Sequence, residues 1–130
     1  MAAAELRVRM LAFQRRSEEI TARHRLTPQR YLLLLLLRAS EAEGNELAIG
    51  SLIEPLQMSQ SSVTRLVQGA TRAGLVERHV DPDDRRRQHL ALTGEGRRRF
   101  EGAFLELGPD RLALESALSK RQKSPLPAAR

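Results

Sequence analysis

Two groups of hydrogen-bonding side chains in this sequence are suited to contacts with nucleic acid. The first lies on one face of a helix that is predicted to follow Ser59, and it consists of Gln60, Ser61, Ser62, Thr64, Arg65 and Gln68. These side chains are short or planar and none is acidic, a composition suited to contacts with base edges and phosphates in a major groove. The second group lies further along the chain and consists of Asp84, Arg85, Arg86 and Arg87. Consecutive guanidinium groups neutralise phosphates or enter a narrow minor groove.

The elements that must position these side chains are a helix and a hairpin. Ser59 is a suitable N-cap, and Gly74 stands where a left-handed residue ends a helix. Between them, apolar residues recur at helical spacing and predict one buried face: Val63, Leu66, Val67 and Ala70. Residues 75–80 and 88–92 predict two strands, joined by the turn-forming residues 81–84. A helix followed by a basic hairpin indicates a winged helix-turn-helix.

The N-terminal part of the chain predicts two further helices. Residues 2–24 carry a near-heptad seam of Leu6, Met10, Phe13, Ser17 and Ile20. Such a seam packs either internally or against a second subunit. Thr27 and Pro28 form a strong start signal for the next helix, which contains the six consecutive leucines 32–37. Because that helix is apolar on every side, we expect it to be covered all round.

The first helix of the helix-turn-helix is less regular. Residues 47–49 predict a minimal strand that closes the wing sheet, and residues 50–57 predict the helix. Gly50 is a weak cap, and Pro55 lacks the amide that would bond one turn back, so it should kink or shorten the helix. Gly69, inside the following helix, costs about 0.5–1 kcal/mol relative to alanine.

The C-terminal part predicts two short helices and a tail. Thr93 is expected to cap the first of them, with an apolar stripe of Phe100, Ala103, Phe104 and Leu107. Gly108 and Pro109 are expected to break it, and residues 110–118 predict a second short helix. Residues 119–130 are polar, basic and contain proline, so we expect disorder there.

Composition limits the function classes. The 130 residues suit one domain, and the net charge of +6 favours an anionic partner, although arginine-rich coding would raise the charge equally. Aromatic residues make up only 3%, which argues against single-strand or RNA platforms that stack bases on rings. The absence of cysteine excludes disulfides and thiol chemistry. The longest apolar run, residues 31–37, is far below the ~20 residues that span a bilayer, so we expect a cytoplasmic protein without membrane contact.

The sequence offers little for catalysis or metal binding. It has no phosphate-cradling glycine loop, no nucleophile motif and no carboxylate pair in an apolar setting. His79 and His89 are expected to face each other across the hairpin, but no further ligand lies near them at metal-binding spacing. We therefore expect no enzyme, no metal site and no cofactor.

The hairpin also resembles a known family. The run LVERHVDPDDRRRQHLALTGEG is similar to the wing signature of the MarR (multiple antibiotic resistance regulator) family. The matching positions are Gly74, Leu75, Val76, Arg78, Asp84, Arg86, Leu92, Thr93 and Gly96. The family's two-helix DNA-binding unit is resembled by the run SLIEPLQMSQSSVTRLV. The helix before that unit is resembled by LTPQRYLLLLLL. The similarity covers roughly residues 26–100, and its wing portion is the most specific part.

The resemblance implies a mainly α protein of about six helices with a small β-hairpin wing. Residues 1–26 and 97–118 would form the dimerisation region, residues 27–96 the winged helix-turn-helix domain, and residues 119–130 a disordered basic tail. It also implies a homodimer that binds double-stranded DNA at a palindromic operator, usually as a repressor. A pocket between the dimerisation helices and the DNA-binding lobe would take a small aromatic or other organic ligand.

Individual roles follow from chemistry and resemblance together. Arg65 is the best candidate for a guanine or phosphate contact, and Arg86 would enter the minor groove with Asp84 holding its orientation. The alternatives are that Arg65 and Gln68 only solvate a helix face, and that Asp84 is an ordinary turn residue. Arg85 and Arg87 are expected to be either phosphate contacts or solvated charge. The arginines 97–99 are expected either to contact phosphates or to lie on a solvated helix face. The alternative function is a winged-helix protein-interaction module or a non-specific DNA-binding protein.

Overall fold

The fold is mainly helical with one small sheet, and it was obtained as a computed structural model that describes residues 2–123. In chain order the elements are α1 (Ala3–Arg23), α2 (Pro28–Ala42), β1 (Leu47–Ala48), a 3₁₀ turn (Ile49–Leu52), α3 (Ile53–Leu56), α4 (Gln60–Arg72), β2 (Val76–Val80), β3 (Gln88–Leu92) and α5 (Gly94–Lys123). The last residues of the predicted tail, 124–130, lie outside this range. The predicted mainly α fold with a winged helix-turn-helix is confirmed.

Helix boundaries lie where the capping residues predict them. The Thr27 hydroxyl accepts a hydrogen bond of 3.1 Å from the amide of Arg30, with Pro28 in the first helical position. The Ser59 hydroxyl accepts one of 3.2 Å from the amide of Ser62. Gly74 has a φ of +75°, which a residue with a side chain rarely adopts, and it turns the chain out of α4 toward β2.

The sheet has the strand order β1-β3-β2 and is antiparallel throughout. Leu47 pairs with Leu90, so the predicted minimal strand does close the wing sheet. In the hairpin, Val76 pairs with Leu92 and His79 with His89. This register puts the two histidines side by side, as the sequence predicted.

The core forms where α2, α4, the sheet and α5 meet. Its fully buried members include Leu33, Leu34, Leu52, Val63, Val67, Ala70, Leu75, Val76 and Ala103. The face predicted for α4 is buried at Val63, Val67 and Ala70, and half-buried at Leu66. The expectation that α2 is covered all round is wrong, since Leu32, Leu35 and Leu36 are only half-buried. The side of α2 that is left open faces the cavity described below.

The helix at residues 50–57 is shortened, as Pro55 predicted. A 3₁₀ turn over Ile49–Leu52 leads into the four-residue α3, and Pro55 lies in the first turn of α3, where an amide has no helical partner. Gln57 ends α3 with a left-handed backbone, φ +55°. The chain then passes through Met58 and Ser59 into α4.

The predicted break at Gly108 and Pro109 does not occur. One helix, α5, runs from Gly94 to Lys123 with Pro109 inside it, and it also includes residues 119–123, which had been assigned to the disordered tail. Gly108 has no β-carbon, so the usual clash of proline with the residue before it is reduced. The carbonyl that loses its donor belongs to Leu105, a residue that is 76% exposed. An exposed part of a helix tolerates a lost backbone bond because water is at hand as a partner.

The terminal helices α1 and α5 lie against each other and tie the ends of the chain together. A carboxylate on α5, Glu106, bonds to His24 Nε2 at 2.7 Å and to Arg23 Nη1 at 3.1 Å. Nearer the start of α1, Arg16 lies 3.6 Å from Asp110. In residues 2–123, none of the helices has the length and apolar character that crossing a membrane requires.

Candidate nucleic-acid interface

The outward face of α4 carries the first predicted group of contact residues. Gln60, Ser61, Arg65 and Gln68 are exposed, whereas Ser62 and Thr64 are half-buried. The Thr64 hydroxyl donates to the carbonyl of Gln60 at 2.9 Å, so its proton is already engaged within the helix. Arg65 and Gln68 are therefore the longest exposed side chains with free donors on the middle of this face.

A cluster of three serine hydroxyls lies at the start of α4. Ser59 Oγ is 3.2 Å from Ser61 Oγ and donates to Ser62 Oγ at 3.0 Å. These hydroxyls stand beside the free amides of the first helical turn, whose partial positive charge favours anionic groups. The start of α4 is thus a polar surface without acidic side chains.

The second predicted group lies in the loop between β2 and β3, which we call the wing loop (residues 81–87). Asp84 Oδ1 accepts a hydrogen bond of 3.0 Å from the amide of Arg86 and lies 3.5 Å from Arg86 Nε. Two backbone bonds of 2.9 Å, from Asp81 N to Arg87 O and from Arg87 N to Asp84 O, close the loop. The Arg86 side chain is nevertheless 95% exposed, so it projects into solvent from an ordered base.

The arginines at the start of α5 are engaged within the protein. Arg97 bonds to both carboxylate oxygens of Glu41, at 3.0 and 2.8 Å. Arg98 and Arg99 bond to Glu95 at 2.7 and 2.9 Å, and these hydrogen bonds hold the pKa of Glu95 below its usual value, Arg98 having the larger effect. This arrangement favours the interpretation of residues 97–99 as a solvated helix face.

The arginines of the two predicted groups differ from Arg97, Arg98 and Arg99 in having few or no carboxylate partners within residues 2–123. Among the residues that the structure describes, no carboxylate lies within ion-pair distance of Arg65, Arg85 or Arg87, and Arg86 has only the 3.5 Å contact with Asp84. Their charges are therefore available to an external anion.

The histidine pair on the sheet has one carboxylate near each ring. The rings of His79 and His89 are stacked with centroids 5.3 Å apart. Each lies near one carboxylate, Glu77 at 3.4 Å and Glu46 at 3.5 Å respectively. Over residues 2–123, no group of three or more histidine, aspartate or glutamate side chains is arranged to hold a metal ion.

A cavity of about 500 Å³ opens between α1, α2 and α5. Its wall is mainly apolar, and the residues that line it include Phe13, Tyr31, Leu32, Leu35 and Leu107. The charged residues there are Glu18 and Arg111, and the Arg111 guanidinium lies 3.9 Å above the ring of Phe104. Partial burial raises the pKa of Tyr31, an effect that nearby Arg111 opposes. The cavity therefore lies between the terminal helices and α2, which packs against α4.

One cation near α4 was not predicted from the sequence. The side chain of Arg30, at the start of α2, lies against α4 at Gly69, with Nη2 3.0 Å from the position that a β-carbon on Gly69 would occupy. The signal in the sequence was the glycine itself, an unfavourable residue inside an otherwise regular helix.

A comparison with protein families finds the same relationship that the wing motif indicated. The model described as "MarR family" matches residues 25–87, which include α2, α3, α4, β2 and the wing loop. Residues 25–87 of the chain are thus recognised as a MarR-family segment. A comparison with curated proteins found no match.

Solved MarR-family structures share the whole fold. The chain is similar to wild-type MarR of E. coli in its apo form, with 20% identity, a TM-score of 0.76 and 98% of each chain covered. It is also similar to MepR of S. aureus in a DNA complex, with 22% identity, a TM-score of 0.75 and coverage of 95% of this chain and 90% of that one. A mutant E. coli MarR complexed with operator DNA has 20% identity, a TM-score of 0.73 and coverage of 95% and 92%.

The family model over residues 25–87 and the shared fold confirm the predicted resemblance to the MarR family and the predicted fold. The matched family consists of winged-helix transcription regulators and not of enzymes. The predicted contact residues lie on the exposed face of α4 and in the loop between β2 and β3.

Proposed function

We propose that this MarR-family protein is a sequence-specific regulator that binds double-stranded DNA, acting as a homodimeric repressor on a palindromic operator in the cytoplasm. The observation that carries the proposal is the distribution of arginine partners. Arginines on α4 and in the wing loop lack strong carboxylate partners, whereas those at the start of α5 are paired internally. The DNA complexes of MepR and of the mutant MarR support the same use of this fold.

In the proposed complex α4 lies in the major groove. Arg65 donates two hydrogen bonds to a guanine or holds a phosphate, and Gln68 is suited to adenine. Four further side chains lie closer to the start of α4 and contact bases or phosphates there: Gln60, Ser61, Ser62 and Thr64.

The wing loop reaches the neighbouring minor groove. Arg86 enters the groove, where a narrow A·T-rich segment attracts a guanidinium group. Asp84 limits the orientations of Arg86 through the 3.5 Å contact with Nε, and it fixes the loop through the backbone bond to the Arg86 amide. Arg85 and Arg87 contact the flanking phosphates.

The proposed homodimer is supported by apolar side chains that this chain leaves exposed on its terminal helices. They are Val8, Met10 and Leu11 on α1, and Leu105, Leu112 and Leu118 on α5, with exposed fractions from 42% to 76%. A second copy packed on these helices would remove that apolar area from water. Twofold symmetry then places two α4 helices about one DNA turn (~34 Å) apart on a palindromic site.

The cavity between α1, α2 and α5 is the proposed ligand site. Its apolar wall suits a small aromatic ring, and Arg111 supplies a charge for a carboxylate on that ring. Because the cavity lies between the terminal helices and the DNA-binding lobe, a ligand that prefers another spacing of the two parts would weaken DNA binding by linkage. In this proposal, binding of the ligand releases the repressor from its operator.

The test of the proposed function is fluorescence anisotropy on duplex DNA from upstream of the gene, beside a scrambled duplex, near physiological salt. We expect tight binding to the upstream duplex alone, and sedimentation of the same sample should show a dimer. Equal, weak and salt-sensitive binding to both duplexes would reject operator specificity and favour the alternative, a non-specific DNA-binding protein. No binding to either duplex would favour a protein-interaction module.

A further inference from the structure

We propose that Arg30 is a DNA phosphate contact at the edge of α4, and that Gly69 keeps the space in which its guanidinium group lies. The inference rests on the proposed DNA-binding function and extends the binding surface to a helix outside the helix-turn-helix. It is carried by the contact between the two residues, by the position of Gly69 on α4, and by the lack of an anionic partner for Arg30.

The contact is close and specific to a glycine. A β-carbon on Gly69 would stand 3.0 Å from Arg30 Nη2, 3.9 Å from Cζ and 4.0 Å from Nε. A separation of 3.0 Å is tighter than nine in ten real contacts of a β-carbon, so a side chain at position 69 would move the guanidinium group aside by a few tenths of an ångström. Gly69 itself has an ordinary helical backbone with no positive φ, so the absent side chain explains the glycine better than conformation does.

The position of Gly69 on α4 is set by helical geometry. Gln68, Thr71 and Arg72 share a recess with Arg78 of β2, so this side of α4 faces the wing sheet. Successive helical residues are rotated by about 100°, so Gly69 lies beside this recess, about 60° around the helix from Arg72 and about 100° from Gln68. The Arg30 guanidinium therefore lies at the edge of the exposed surface of α4.

Gly69 is also four residues after Arg65, which makes the two positions neighbours on the helix surface. The guanidinium of Arg30 thus continues, one turn further along α4, the basic surface that Arg65 begins. A major groove is bounded by a phosphate backbone on each side, so a cation at the edge of a helix in the groove lies close to a phosphate. Arg30 supplies such a cation.

Arg30 is free to bind an external anion. Its amide is bonded to Thr27, which fixes the start of α2, but its side chain has no carboxylate within ion-pair distance in the part of the chain that the structure describes. The residue is half-buried, so its side chain has fewer conformations to lose on binding than a fully exposed arginine. A planar guanidinium held in this way suits a phosphate.

The experiment is a double-mutant cycle on the upstream duplex at several salt concentrations, with Arg30→Ala, Gly69→Ala and the combination. Arg30→Ala should weaken binding about tenfold, as expected for the loss of a charge-assisted hydrogen bond, and should reduce the log–log salt slope by about 0.9 for each protomer. Gly69→Ala should also weaken binding in the parent protein, although alanine favours the helix. In the Arg30→Ala background, Gly69→Ala should have no further effect.

Two controls separate the possible failures. Arg15→Ala removes one positive charge from an exposed position on α1 and should leave the salt slope unchanged. Arg86→Ala tests the wing and therefore the proposed function. If Arg86→Ala lowers the slope while Arg30→Ala does not, Arg30 is not a phosphate contact. Equal effects of Gly69→Ala in both backgrounds would reject the role of Gly69. If the parent protein binds no duplex, the proposed function fails and this inference with it.

Discussion

The hydroxyl of Thr93 joins the end of α4 to the start of α5. It donates a hydrogen bond of 2.6 Å to the carbonyl of Gly74 and accepts one of 3.0 Å from the amide of Gly96. The backbone amide of Thr93 also donates to the carbonyl of Leu75 at 3.1 Å. Thr93 therefore caps α5 and holds its start against the turn that follows α4.

Replacing Thr93 with alanine should destabilise the protein. Loss of an N-cap hydroxyl costs about 0.5–2 kcal/mol, and here the Gly74 carbonyl also loses its donor. We expect a lower midpoint of urea unfolding with an unchanged slope. Thr93→Ser keeps the hydroxyl and should retain most of the stability, so an equal loss in both variants would contradict the capping role.

Gly96→Ala should be destabilising for a steric reason. An added β-carbon would overlap the carbonyl of Leu75, a backbone group that cannot move aside as a side chain can. We expect a loss of about 1–3 kcal/mol in the free energy of unfolding, as for other overpacked sites. The matched control is Gly50→Ala, since nothing lies within 4 Å of its added β-carbon, and its effect should stay within about 0.5 kcal/mol.

Arg86→Ala tests the wing. Its side chain is 95% exposed and has no core contact to lose, so the fold should be unaffected while DNA binding weakens. If Arg86 neutralises a phosphate at the minor groove, the log–log salt slope should fall by about 0.9 for each protomer. Arg98→Ala removes an arginine that is paired with Glu95 and should leave the slope unchanged. Equal slopes for Arg86→Ala and the parent protein would remove the wing loop from the interface.

Arg65→Ala distinguishes base reading from phosphate contact. A bidentate contact with guanine is worth about 1–3 kcal/mol of discrimination, so its loss should relax the preference at one position of the operator. Binding to a set of duplexes that each carry one substitution would reveal that position. A uniform loss over all duplexes would instead assign Arg65 to a phosphate.

Acid should weaken the contact between α1 and α5. Hydrogen bonds from His24 and then Arg23 hold the pKa of Glu106 below its usual value. Because the pKa is lowered in the folded protein, this stabilisation is fully present above the pKa of the unfolded chain, about 4.3, and is lost as the pH falls through the lower folded value. Glu106→Gln should therefore be less stable than the parent near neutral pH, and the two should converge in urea unfolding at acidic pH. A constant difference at all pH values would contradict this.

The sequence predicted the parts of the fold that depend on neighbouring residues. Thr27 and Ser59 bond to amides three residues ahead, and Gly74 takes a backbone conformation that glycine favours, so local chemistry was sufficient. The pairing of His79 with His89 followed from strand spacing around a recognisable turn. For the same reason the wing motif could be placed correctly.

The parts that could not be predicted depend on distant contacts. The rule that proline breaks a helix failed for Pro109, which lies inside α5 one turn after the exposed Leu105, and only the packed structure shows that exposure. The role of Arg97 stayed open because its partner Glu41 is 56 residues away. Arg30 was missed because the sequence does not show that α2 brings its side chain to Gly69.

The short junction at Thr93 also has a mechanical consequence. Since β3 ends at Leu92 and α5 begins at Gly94, no flexible linker separates the wing from a 30-residue helix, which is about 45 Å long. A tilt of α5 should therefore rotate the wing with it. Pro109 removes one backbone hydrogen bond from α5, and a helix bends most easily where such a bond is missing. In the proposed DNA complex, bending at Pro109 would reduce how much of a movement at the far end of α5 reaches the wing.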